Sequence, residues 1–102
     1  MRYGLSENDI LLILDVFTKH SSVEKAILFG SRAKGNYKPG SDIDLALIGN
    51  HILFDEFLSL KFQLDELNLP YRIDLINYIT IKDSDILDHI KRVGVAFYEK
   101  TI

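Results

Sequence analysis

The sequence predicts a mixed α/β fold of the α+β kind, a small mixed β-sheet covered by helices. Three observations lead there. Apolar stripes at helical spacing alternate along the chain with short apolar runs bounded by turn residues. Apolar residues make up 47% of the 102 residues, enough for one core, and a charged share of 26% is ordinary for a soluble domain. No linker, internal repeat or low-complexity tract divides the chain, so residues 1–102 read as a single domain.

The first element is a helix from about Ser6 to Lys19. Ser6 can cap it, and Glu7 and Asp9 sit in the first turn, where the helix dipole favours negative charge. Ile10, Ile13, Leu14 and Phe17 share one face, and Leu11, Leu12 and Val16 widen it, which predicts burial on more than one side. Val23 to Phe29 ends in a run of four apolar residues before Gly30 and reads as a buried strand. A short helical turn over Ser31–Gly35 and a loop over Asn36–Ser41, with Pro39 and Gly40, follow. Ile43 to Ile48 reads as a second strand with Asp44 its only charge. Phe57, Leu60, Leu64 and Leu67 stripe a helix over Phe54–Leu67; Leu58 and Phe62 lie off that stripe and read either as core, the reading slightly favoured, or as a partner surface. After Pro70, Tyr71 to Ile76 reads as a third strand around Asp74. A third long helix over Asp83–Val93 turns Ile86, Leu87, Ile90 and Val93 inward, and Gly94 ends it. Val95 to Tyr98 is either a short strand or a docked tail.

Composition excludes several function classes. Without cysteine there are no disulfides, no Cys-ligated zinc and no thiol catalysis. A net charge of −3 disfavours a broad nucleic-acid-binding surface, so no direct nucleic-acid binding is expected. The longest apolar runs fall well short of the ~18 residues a membrane span needs, and the N-terminus does not read as a signal peptide. A reducing cytoplasm fits this pattern. His20, His51 and His89 are far apart in sequence and are expected at the surface rather than in a metal cluster.

The chemistry is concentrated between Leu28 and Leu47, where Gly30-Ser31 is followed after ten residues by Asp42-Ile43-Asp44. A shuffled chain of this composition would show that spacing about three times in a thousand, so chance is a small but real alternative. Gly30 lets a ligand approach the backbone where a strand turns, and the Ser31 hydroxyl with free backbone N–H groups suits phosphate oxygens. Arg32, Lys34 and Lys38 lie between the two halves with no acid among them, the one locally cationic stretch in an acidic chain. Asp42 and Asp44 are two positions apart, so in an extended chain they emerge on one face. Such a pair repels unless a cation lies between them, and Mg2+ takes one or two carboxylates together with substrate phosphates. Asp74 has the same setting in the third strand, flanked by Ile73 and Leu75. If the two strands are neighbours, three carboxylates converge, enough for two metal ions. The bland alternatives are an Asp at a strand edge for Asp74, a turn cap for Asp42 and an ordinary strand-to-helix turn for Gly30-Ser31.

Ile27-Leu28-Phe29-Gly30-Ser31-Arg32-Ala33-Lys34-Gly35, followed by Pro39-Gly40-Ser41-Asp42-Ile43-Asp44-Leu45, resembles the signature of the minimal nucleotidyltransferases of the DNA polymerase beta-like superfamily. That resemblance covers most of the chain. It implies a nucleotidyltransferase-like core, Mg2+ as cofactor, and transfer of a nucleoside monophosphate, AMP from ATP, to a hydroxyl. It implies that Asp42 and Asp44 ligate both metals, that Asp74 is the third acid and assists the acceptor, and that Gly30 and Ser31 hold the β and γ phosphates. Arg32 and Ser41 lie within the motif as further phosphate contacts. Many such proteins accompany a helical HEPN-type toxin, which implies an antitoxin that attaches AMP to its partner, typically on a tyrosine. A homo- or hetero-oligomer would supply walls this short chain lacks. Two other readings stand beside it: a non-catalytic antitoxin that neutralises its partner by contact, and an enzyme modifying a small hydroxylated molecule such as an aminoglycoside.

Overall fold

In a computed structural model, described here for residues 1–101, the elements run α1 (Glu7–Thr18), β1 (Val23–Phe29), α2 (Gly30–Lys34), β2 (Ile43–Gly49), α3 (Phe54–Asp65), β3 (Ile73–Asn77), α4 (Ser84–Val93) and β4 (Val95–Glu99). The four strands form one sheet in the order β3-β2-β1-β4. β1 pairs antiparallel with β2 and β4, and β2 pairs parallel with β3, so the sheet is mixed as expected. The tail after α4 is a strand, because β1 has an open edge that Val95–Glu99 completes.

Local signals explain most boundaries. The Ser6 hydroxyl accepts the Asp9 N–H at 3.1 Å and starts α1. The Asp83 carboxylate does the same for α4, accepting the Asp85 N–H at 2.8 Å. Between β3 and α4 a short 3-10 turn, Tyr78–Thr80, was not legible in the apolar pattern; the Asn77 side chain caps it.

The two faces of the sheet are covered unequally. Ala26, Leu28, Ile43, Leu45, Leu47 and Leu75 pack against Ile10, Ile13, Val16 and Phe17 of α1 and Leu60 and Leu64 of α3. Each fully buried Leu, Ile or Phe side chain among them contributes about 1.5–3 kcal/mol. α4 crosses the opposite face against β1, and its one fully buried residue is Ile90. The site lies on this thinner side.

Several expectations of burial are corrected. Leu11 and Leu12 are exposed, because α1 meets the sheet on one side only. Leu58 and Phe62, for which the sequence slightly favours a core place, are 46% and 64% exposed, since α3 turns the Phe57–Leu60–Leu64 stripe inward. Ile86 is also exposed, because it borders an open cavity over β2 and β3 rather than the packed core. His20 is no free surface residue: its ring bonds Glu56 and Gln63 at 3.1 Å each, and Ser22 donates to Glu56 at 2.6 Å, tying the α1–β1 connection to α3. These hydrogen bonds hold the Glu56 carboxyl below its ordinary range. No helix among the described residues is long and apolar enough to cross a membrane.

Candidate functional site

Alternation along the strands sorts the acids. In β2, Ile43, Leu45 and Leu47 face the α1–α3 core, so Asp44 faces the other way, as does Asp42 two residues before it. In β3, Leu75 is buried in that core and Asp74 takes the opposite face. The parallel register places Asp44 directly beside Asp74. Adjacent strands lie about 4.8 Å apart, so the two carboxylates are immediate neighbours. Asp42 is exposed at the strand's entrance, and Asp44 and Asp74 are half-buried.

The electrostatics carry the mark of this crowding. Burial, then the charge of Asp74, then that of Asp42, push the Asp44 carboxyl above its ordinary range. A carboxylate cluster that resists ionisation is a site that gains from a cation. The donor set is oxygen only and open on one side, which fits Mg2+ completed by substrate phosphates. The cluster is not a ready-made cage: among the described residues no three acidic or histidine side chains enclose an ion.

Gly30 sits across from Asp44. β1 and β2 pair Phe29 with Asp44, and Gly30 then turns the chain with φ +74° into α2. A Cβ at Gly30 would overlap the Asp44 carboxylate, so glycine is required both by backbone conformation and by proximity. Ser31 follows at the start of α2, half-buried. A cavity of about 340 Å³ opens between Gly30, Asp44, Asp74, Ile76, Ile86 and His89. A larger hollow of about 470 Å³, at the outer edge of β3, is lined by Ile52, Phe54, Phe57 and Leu75 and contains no charged group; the chemistry lies in the smaller one.

The expectation that Arg32 touches phosphate is corrected. Its side chain is 1% exposed. Nε and one terminal nitrogen donate to the Ser41 carbonyl at 3.1 and 2.8 Å, that nitrogen also reaches Pro39 O at 3.3 Å, and the other donates to Tyr3 O at 2.9 Å. Tyr71 and Tyr37 stack on it, 4.7 and 5.3 Å from the guanidinium carbon. Arg32 therefore fastens the loop that delivers Asp42. Ser41 belongs to the same clamp: its carbonyl accepts from Arg32 and its hydroxyl accepts the Lys38 N–H at 2.8 Å. Lys34 and Lys38 remain as the exposed cations of the loop.

His89, expected at the surface, stands in the site. Its Nε2 accepts the Gly30 N–H at 3.1 Å. The one signal in the sequence was its spacing of three from Ile86, which puts both on one helical face.

Comparison with known proteins shows the family and the fold. The family model described as polymerase beta, nucleotidyltransferase, matches residues 12–102. A protein of Haemophilus influenzae that bears the name probable protein adenylyltransferase MntA is 36% identical over 101 residues, covering 85% of this chain and 86% of that one. A solved toxin–antitoxin structure with AMP-PNP superposes with a TM-score of 0.69 at 20% identity, covering 95% of this chain and 76% of the other. A complex of tri-AMPylated Shewanella oneidensis HEPN toxin with MNT antitoxin gives 0.68 at 14% identity, with 94% and 74% covered.

Proposed function

The chain belongs to the polymerase beta nucleotidyltransferase family, and from that premise we propose that it transfers AMP from ATP to a hydroxyl of a HEPN-type partner protein, as the antitoxin of a toxin–antitoxin pair. The observation that carries the proposal is the register of β2 and β3, which sets Asp74 beside Asp44 in front of the Gly30 turn. The named relative and the toxin–antitoxin complexes of the same fold support the choice of donor and partner.

In this reading the Gly30–Ser31 turn receives the β and γ phosphates, with Lys34 and Lys38 offsetting their charge from the loop. Asp42 and Asp44 would hold Mg2+, two ions with Asp74 included. When bound, the metal neutralises the crowded carboxylates and offsets charge on the phosphates. Asp74 takes the proton of the acceptor hydroxyl, whose oxygen bonds to the α phosphorus as pyrophosphate leaves. Arg32 and Ser41 contribute by fixing the loop before Asp42.

The test is incubation of the chain with labelled ATP, Mg2+ and a HEPN-type partner. Label should pass to the partner, and Asp42→Ala and Asp44→Ala should abolish transfer. Equal transfer by wild type and variants, or none by wild type, would refute the reading. Exposed Leu58 and Phe62 favour a second reading, neutralisation by contact alone. Under it Asp44→Asn would still silence the partner.

A further inference from the structure

His89 enters the site from α4, which also lines the cavity with Asp85 and Ile86. The His89 Nε2 accepts the Gly30 N–H at 3.1 Å, and the ring stands edge-on to Phe29, centroids 6.2 Å apart at 79°. Gly30 opens α2, and the first N–H groups of a helix have no partner within it. Its left-handed backbone lies so close to Asp44 that even a methyl group would collide with the carboxylate. A single hydrogen bond therefore ties α4 to the turn against which Asp44 rests. A nitrogen that accepts carries no proton, so the ring proton of neutral His89 sits on Nδ1.

We propose that His89 is a positioning residue of this site: by accepting the Gly30 N–H it holds the glycine turn, and through it the Asp44 carboxylate, in the geometry that transfer needs. The inference rests on the nucleotidyl-transfer reading and adds to it a residue from an element outside the motif. The imidazole acts through Gly30 and touches no substrate itself. Its two contributions are separable. Phenylalanine keeps the ring packed on Phe29 and loses the acceptor; glutamine keeps an acceptor oxygen at similar reach and loses the ring.

The experiment uses the full chain, with NMR of the wild type at pH 8 and of both variants. Wild-type His89 should show the Nδ1–H tautomer. Hydrogen exchange at the Gly30 amide should be slow in wild type and in H89Q, and fast in H89F. The Nε2–H tautomer in wild type, or unchanged exchange in H89F, overturns the proposal, and the tautomer alone decides if H89F does not fold. In AMP transfer, kcat of H89F should fall about tenfold and that of H89Q stay within about threefold of wild type. Tighter ATP binding or faster transfer by H89F would mean that the imidazole competes with phosphate for the amide, and would also overturn it. A wild type that transfers nothing sinks the enzymatic reading instead, while the tautomer and exchange still report on His89.

Discussion

Replacing Gly30 by alanine separates the cost of a strained backbone from the cost of a displaced acid. Gly30 and Gly35 both have positive φ, +74° and +90°. An L-residue in the left-handed region costs about 1–2 kcal/mol. Each 1 kcal/mol moves the melting temperature of a domain this size by about 4–8 °C, so G30A and G35A should both melt roughly 4–16 °C below wild type. Their surroundings differ. A Cβ at Gly35 meets nothing within 4 Å, whereas one at Gly30 runs into the Asp44 carboxylate. The Asp44 side chain can swing aside, which limits the loss of stability but takes the acid out of register with Asp74. A misplacement of about 1 Å at a reacting centre can cost 10²-fold in rate. G30A should therefore lose about a hundredfold in AMP transfer, and G35A less than about threefold. The assays are a thermal melt and label transfer from ATP at a temperature where both variants are folded. Activities of G30A and G35A within threefold of each other would refute the claim that Gly30 is there to make room for Asp44.

Asp44→Asn should raise the melting temperature at pH 8 while abolishing transfer. The folded chain holds the Asp44 proton more tightly than the unfolded one, because of burial and the charges of Asp74 and Asp42. Its ionisation thus opposes folding above the ordinary carboxylate pKa, and the gain should vanish as pH falls and wild-type Asp44 is protonated. Arg32→Ala removes a buried guanidinium and the hydrogen bonds it gives to the Tyr3, Pro39 and Ser41 carbonyls and should cost about 2–4 kcal/mol in urea unfolding; Arg32→Lys, with no planar fork, should recover little of it. The Glu56 carboxyl is held low by hydrogen bonds from Ser22 and His20. Its contribution to stability is present above about pH 4.5 and lost as pH falls through the lower folded pKa. Glu56→Gln should therefore flatten the acid limb of a melting-temperature profile.

The residues of the motif were legible because they depend on local periodicities. Alternation in a strand decides that Asp42 and Asp44 share a face, and the recurrence of one Asp between two aliphatic residues at Ile43–Leu45 and Ile73–Leu75 marks two strands of one design. The helix starts at Ser6 and Asp83 were legible for the same reason, since a cap acts within three residues. What the amino-acid order left open was every feature set by contacts between distant segments. Whether Asp74 stands beside Asp44 depends on β2 and β3 pairing in parallel and in that register. An arginine amid exposed lysines reads as a phosphate contact; only the closure of Tyr3, Tyr37, Tyr71 and the Ser41 loop around it buries the guanidinium. His89 is 59 residues from the glycine whose amide it accepts. Leu58 and Phe62, apolar but off the stripe of α3, could be core or surface by sequence and are exposed, because a helix has a hydrophobic pattern of its own but no information about how much of it a neighbouring sheet will cover. Local conformational preference is written within a few residues; burial and juxtaposition are properties of the packed chain.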